Sequence, residues 1–301
     1  MQGDLPHNLQ GRLGLNVPRE TWPTPAMLKA VEAAGFAWVQ VHTPPLGVLA
    51  DREAARRHAR ALRAVLDATT LRLLVHGPDD LSAGTDLHDR AFAGLLDHAA
   101  EAGAELVAYH GLNVRTADDA VAARAVQERI ALEERALAGF APVAERLGLR
   151  VCVENLAPTY PSPPRVCHDP REVAAFVRRL DTPAIAMLFD AGHAHLVAGL
   201  RRDDAAALLD DVRDAVGLFH LHDNLGARRH DLQAPGIDPL RLDLHLPPGA
   251  GTLAWERLAP ALVAHEAPLM LEIGAGVRQE PVALAAAARA ALAARVARAV
   301  A

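Results

Sequence analysis

Eight short apolar runs punctuate the chain. They are "RLGLNV" (12–17), "FAWVQVH" (36–42), "LRLLVH" (71–76), "ELVAYH" (105–110), "RVCVEN" (150–155), "IAMLFD" (185–190), "GLFHLHD" (217–223) and "PLMLEI" (268–273). Each is the length of a strand, and none alternates strictly between apolar and polar. Such runs are expected to be covered on both faces, as in a parallel sheet. Between them lie longer runs with apolar residues three and four apart, the period of a helix. "TPAMLKAVEAAG" opens on Thr24 as a cap and Pro25 at the first helical position, and closes on Gly35. Residues 51–68, 86–103, about 117–147, 169–180, 203–214, 254–265 and 280–300 read in the same way. The last of these is rich in Ala and Arg, the composition of a strong helix former.

Eight strand–helix units predict a (β/α)₈ TIM barrel, a single domain over residues 1–301, with its active site at the C-terminal ends of the strands. The competing architecture is an open, doubly wound sheet. No Gly-rich dinucleotide fingerprint follows the first strand, where "GLNVPRE" stands. Two loops exceed what a connection needs, residues 156–169 after strand five and 224–251 after strand seven. Both leave the strand ends that carry active sites in a barrel.

Composition narrows the function. Hydrophobic residues make up 51% of the 301 but aromatics only 4%, so Leu, Val and Ala must build the core. The formal charge is -6, and Lys29 is the one lysine. That balance argues against a duplex-DNA or membrane-surface binder, whose footprint is basic. Cys152 and Cys167 are expected to be reduced thiols in a cytoplasmic protein. The opening "MQGDLPHNLQGRL" lacks the basic and apolar blocks of a signal peptide, and no apolar run is long enough to cross a bilayer. No apolar stripe in the helical runs points to an oligomeric state.

The chemistry collects at the strand ends. Strands three and four end in His76 and His110. Strand five carries Glu154, strand six Asp190 followed by His193, strand seven His220 and strand eight Glu272. The loop after strand seven adds Asp243 and His245. Each has a plain structural alternative: Asp190, for example, can cap the next helix. Together they do not. Histidine fills 15 of 301 positions, so a His or carboxylate at six consecutive strand ends is far from chance. Imidazole with carboxylate is the usual ligand set of catalytic zinc and related metals. Four buried carboxylates would also cost several kcal/mol each without a compensating cation. These nine residues are therefore the expected metal ligands. Strand alternation puts His222 on the side of His220, as a substrate contact or a support for a ligand. His42 ends strand two and is expected to reach the pocket. His58, His98 and His265 are expected to be solvated on helices, and His195 to point away from His193.

The motifs "VHGP", "YHG", "VEN", "FDAGH", "HLHDN", "DLHLPPGAGTLAW" and "LEI" resemble, in order and one per strand, those of the xylose isomerase-like superfamily, which includes endonuclease IV. The resemblance covers almost the whole chain and implies a metal-dependent TIM-barrel enzyme. Its sugar isomerase and epimerase branch implies one divalent metal on Glu154, Asp190, His220 and Glu272. The two glutamates would then shuttle a proton beside a carbonyl. Its endonuclease IV branch implies three zinc ions. His76, His110 and Glu154 would hold the first, and Glu154 would bridge to a second on Asp190, His220 and Glu272. His193, Asp243 and His245 would hold the third. All five residues special to that branch are present. A multinuclear phosphoester hydrolase is therefore the leading expectation, a mononuclear sugar or sugar-phosphate isomerase or epimerase the alternative, and a metal-dependent binder without turnover the third. Zn²⁺ is favoured and Mn²⁺ also suits the carboxylate-rich set. The substrate is expected to be small and phosphorylated or sugar-like. Arg228 and Arg229 would grip a phosphate or stand as solvated loop charges, and Tyr160 with Arg165 would contribute to a lid or serve the structure of their Pro-rich loop.

Overall fold

Eight parallel strands pair in sequence order and close, β1 against β8, into a barrel in the computed structural model. The structure describes residues 9, 11–114, 120–158, 165–201, 203–226 and 243–293. The strands are β1 Leu13–Asn16, β2 Trp38–His42, β3 Arg72–His76, β4 Ala104–Tyr109, β5 Arg150–Glu154, β6 Ile185–Asp190, β7 Val216–Leu221 and β8 Leu269–Leu271. The helices are α1 Pro25–Ala33, α2 Leu46–Leu49, α3 Arg52–Leu66, α4 Asp86–Ala102, α5 Ala120–Arg146, α6 Pro170–Leu180, α7 Ala191–Arg201, α8 Ala205–Val212, α9 Trp255–Ala264 and α10 Pro281–Ala293. The expected (β/α)₈ barrel is therefore the observed fold. No helix among the described residues is long and apolar enough to cross a membrane.

Local chemistry sets where helices begin. The Thr24 hydroxyl accepts from the Met27 amide, and Asp51, Asp169 and Asp204 accept from amides in the first turns of α3, α6 and α8. Each bond satisfies a backbone donor that has no partner inside its own helix.

Strand alternation then sorts the side chains into two cores. Outward residues such as Val39, Val75, Val107, Val153, Phe189 and Leu221 pack beneath the helices. Inward residues form a second cluster of Trp38, Leu74, Leu106, Ala108, Cys152, Ala186, Leu188, Leu218 and Met270. This cluster plugs the barrel. The next inward position along each strand is polar: Asn16 on β1, Gln40 on β2, His76 on β3, Glu154 on β5, Asp190 on β6, His220 on β7 and, one residue past β4 and β8, His110 and Glu272. The apolar floor and the polar site are successive layers of one alternating pattern.

Two helices lie outside the periodic runs read from the sequence, the second anticipated only through Asp190 as a cap. α2 lies in the connection after β2. α7 starts on the residue after β6, with no loop between. Two glycines and two histidines weaken its helical signature. It is capped by the Asp190 carboxylate, which accepts from the His193 amide at 2.7 Å. One solvation expectation fails. His98 is fully buried and meets His58 nitrogen to nitrogen at 2.9 Å, because α3 and α4 pack face to face there. His58 is half-buried in the same contact. His265 accepts from the Ala267 amide just beyond α9.

The fold makes two predictions. A methyl group on Gly94 would meet the Leu49 carbonyl oxygen at 1.9 Å, because α2 rests on α4 at that point. Gly94→Ala should destabilise by about 1–3 kcal/mol. Gly139 is open and helical, so Gly139→Ala should instead stabilise by about 0.5–1 kcal/mol. Chemical denaturation of both variants reads the opposite signs. The second concerns acid. Burial, then the neighbouring His58, pushes the His98 imidazole down from 6.5 to about 3. The unfolded chain therefore takes up a proton below about pH 6.5 that the folded chain refuses, and stability falls as pH drops through that window. His98→Gln should show a shallower fall in melting temperature between pH 7 and pH 5 than the parent protein.

Candidate metal centre

β5 to β8 bring four donors together in the middle of the barrel mouth. One ligand atom each from Glu154, Asp190, His220 and Glu272 lies within 4.8 Å of the others, and all four residues are buried. His220 Nδ1 stands 3.4 Å from Glu154 Oε1, 3.7 Å from Asp190 Oδ2 and 3.2 Å from Glu272 Oε2. On one side, His76 Nε2 and His110 Nε2 each lie 3.6 Å from Glu154 Oε2. His76, His110 and Asp79 form a second group of donors with the same 4.8 Å closeness. On the other side, His193, His222, Asp243 and His245 form a third. The nine ligands expected from the sequence thus converge, and two residues join them. Asp79 stands 3.6 Å from His110 Nδ1, and His222 Nε2 lies 3.0 Å from Asp190 Oδ1.

The imidazoles are aimed by their other nitrogen. His76 Nδ1 donates to the Gly77 carbonyl at 2.8 Å, His193 Nδ1 to the Asn155 carbonyl at 2.9 Å, and His245 Nδ1 to the Glu272 carbonyl at 2.8 Å. Each ring then presents Nε2 to the cluster. For His220 the order is reversed. Nε2 donates to Gln40 Oε1 at 2.7 Å, which leaves Nδ1 facing the carboxylates. Gln40 also donates from Nε2 to Glu272 Oε1 at 2.9 Å. One buried amide therefore fixes the tautomer of one ligand and the rotamer of another. His222 fits only because position 192 is glycine, since a methyl group there would come within 2.1 Å of its ring. His245 adopts φ +47, a strained backbone for a residue with a side chain.

The donor set fits a divalent cation. Glu154 Oε2, His193 Nε2 and His220 Nδ1 are buried with no hydrogen-bond partner among the described residues, an expensive state unless something positive sits there. Charge tells the same story. Burial would raise the Glu154 and Glu272 carboxyls, yet His220 facing both holds them well below the usual range. Burial would lower the imidazoles of His193 and His220, but facing carboxylates raise both well above the ordinary value. Burial also opposes the charge on His245, but Asp243 lifts it to about 9. The site calls for cations, and protons meet the call where no metal does. His42 differs: burial, helped by His76, pushes it down to about 3, so it stays neutral with its ring 4.7 Å from that of His76.

Asp223 serves the loop rather than the site. Its carboxylate accepts from the amides of Asn224, Gly249 and Leu253 and from the Trp255 indole. Glu133 of α5 has a matching role beside β4. It is fully buried and accepts from the Tyr109 hydroxyl, from Ser82 and from the amide of Leu112, whose φ is +48. It pins the turn that follows His110. Arg165 donates to Asn113 across the β4 and β5 loops. Tyr160, Arg228 and Arg229 lie outside the described residues. Sequence reasoning missed Gln40, Asp79 and Glu133. Gln40 was within reach, because it stands two residues from both Trp38 and His42 on one strand face.

A family model for the xylose isomerase-like TIM barrel matches residues 28–295. Several solved structures share the fold. A D-tagatose 3-epimerase-like protein aligns with TM-score 0.69 at 16% identity, over 95% of this chain and 100% of its own. A putative xylose isomerase from Rhodospirillum rubrum aligns with TM-score 0.68 at 20% identity, over 94% of this chain and 98% of its own. A 3-keto-D-glucoside 4-epimerase from E. coli aligns with TM-score 0.60 at 18% identity, over 94% and 97%. Identities this low establish likeness of fold alone. No curated protein matches the chain.

Gln40→Ala should weaken divalent-metal binding about 10–100-fold, because His220 loses its tautomer partner and Glu272 its brace. Calorimetric titration of the metal-free protein with Zn²⁺ or Mn²⁺ reads the change, and unaltered circular dichroism confirms that the barrel persists.

Proposed function

Because the chain belongs to the xylose isomerase-like TIM-barrel family, we propose that residues 1–301 form one cytoplasmic, divalent-metal-dependent domain that epimerises or isomerises a small sugar-like substrate. The observation that carries this reading is the central group, with two buried glutamates meeting at one imidazole. Glu154 and Glu272 lie 3.4 and 3.2 Å from the same His220 nitrogen. Asp190, His220 and the two glutamates are the residues that would hold the ion. Bound there, a divalent cation polarises the substrate oxygens and makes the hydrogen beside a carbonyl more acidic.

The chain's own groups do the remaining work. One glutamate takes the proton from the carbon beside the carbonyl. The other returns a proton, to the opposite face of that carbon for epimerisation or to its neighbour for isomerisation. Gln40 keeps Glu272 oriented through the donation described above. The positive neighbours favour the ionised form that accepts the proton, despite burial. The glutamate that returns a proton enters the step protonated, and solvent restores the pair between turnovers. His42 and His222 border the reacting position as neutral or hydrogen-bonding edges for hydroxyl groups. The epimerase neighbours support this reading over the hydrolase one.

The hydrolase remains the second reading, and a specific observation favours it. The donor groups on either side of the centre, His76, Asp79 and His110 and then His193, His222, Asp243 and His245, exceed what one ion needs. With up to three Zn²⁺ ions such a site suits phosphoester cleavage.

The test is proton exchange. Protein loaded with Mn²⁺ or Zn²⁺ and incubated with a panel of ketoses in deuterium oxide should place deuterium on the carbon beside the carbonyl. Glu154→Gln and Glu272→Gln should each abolish incorporation while remaining folded. His110→Ala should leave most of it. Absence of exchange on every ketose, with cleavage of bis(p-nitrophenyl) phosphate that His110→Ala destroys, would establish the hydrolase instead.

A further inference from the structure

Beside the first outer donor group stands an arginine that the reaction leaves unused. Arg19 follows β1 by three residues, at the mouth of the barrel. Its Nη2 donates to Asp79 Oδ1 at 2.5 Å, and the same oxygen lies 3.6 Å from His110 Nδ1. The guanidinium is thus one carboxylate away from a histidine of the centre. Its Nε and Nη1 make no hydrogen bond to any described residue, and its side chain is 56% exposed.

The surroundings give these spare donors a direction. His42, at the end of the neighbouring strand β2, feels the charges of both Arg19 and Asp79. Arg19, His42 and Asp79 therefore stand at or just beyond three consecutive strand ends, β1 to β3, with Arg19 and Asp79 directly paired. Many other described arginines are engaged on the outer helices, as in the Arg52–Asp97 and Arg178–Asp214 pairs. Arg213 and Arg257 are likewise held by one nitrogen, but to carboxylates on the outside of the barrel. Arg19 is held by a carboxylate that also faces a histidine of the centre. A planar guanidinium with two N–H edges free is the natural partner of a carboxylate or phosphate.

We propose that Arg19, tethered by Asp79, forms an anion subsite at the edge of the metal centre, and that the substrate carries a carboxylate or phosphate group which docks there. The inference rests on the proposed sugar enzyme for the location of the reacting carbons, and it narrows the substrate class to acidic sugars or sugar phosphates. The fixed anion would leave the reacting carbons to the glutamates and would hold the chain of hydroxyl groups in one direction.

The experiment compares three probes with the same carbon skeleton: D-glucitol, D-gluconate and D-glucitol 6-phosphate. Each is titrated calorimetrically into full-length, metal-loaded protein. At least one anion should bind about 10–100-fold tighter than the neutral polyol, the range for a hydrogen bond to a charged group. Whichever anion does so identifies the source of the charge. Arg19→Gln should erase that preference, leave the affinity for glucitol unchanged and keep full metal content, and Arg19→Lys should restore part of it. Equal binding of the three probes by the parent protein overturns the proposal, as does failure of both anions to bind. Loss of metal in Arg19→Gln, or equal weakening of charged and neutral probes, also overturns it by reducing Arg19 to a brace for Asp79. Binding is read without turnover. Absence of proton exchange together with a preserved anion preference would therefore sink the proposed reaction and leave the subsite standing.

Discussion

Carboxylates packed where water cannot reach them are the constraint on which the rest of this molecule turns. Glu154, Asp190 and Glu272 converge in the mouth of the barrel with at most 8% of their surface exposed. Isolated, each would be driven to protonate. Glu154 and Glu272 stay ionised because imidazoles face them, and those imidazoles are in turn held by backbone carbonyls and by Gln40. A barrel suits the task. Each strand contributes one inward residue per layer, so donors remote in sequence meet without any loop having to find them. The apolar layer below makes the surroundings dry and the charges strong.

The loops are governed by a second set of acidic residues that never face the centre. Asp223 gathers three amides and an indole after β7, and Glu133 gathers two hydroxyls and an amide around the end of β4. A buried carboxylate surrounded by donors holds a loop as firmly as a short stretch of sheet would, because leaving it means giving up several bonds at once. The chain therefore uses the same functional group for two ends. Where imidazoles surround it, the carboxylate makes a site, and where amides surround it, it makes a scaffold.

That dual use explains what could and could not be read from the sequence. The strands were legible because both their faces are covered, which leaves continuous apolar runs. The ligands were legible because His76, Glu154, Asp190, His220 and Glu272 interrupt those runs at equivalent ends. Gln40 escaped notice because a neutral amide on a strand looks like surface, and only its inward register reveals its role. Asp79 and Glu133 escaped because a carboxylate in a loop or on a long helix is ordinarily solvated. α7 was hidden by its glycines and histidines, which obscure helical periodicity. His98 was misjudged for a related reason: the period of α4 identifies a buried face, but not that a second histidine on α3 would cross to partner it. Whether Asp223 belonged to the site or to its loop could be decided only by seeing which donors surround it.

The plug of Trp38, Leu74, Leu106, Leu188, Leu218 and Met270 has a kinetic meaning beyond its packing. Among the described residues it closes the far end of the barrel, so the centre is approached from the C-terminal ends of the strands. Whatever enters must leave by the route it came, and no second molecule can pass while the first remains. Exchange of one occupant for the next is then strictly sequential. Its pace is set at the mouth formed by the C-terminal strand ends rather than in the apolar layer beneath it.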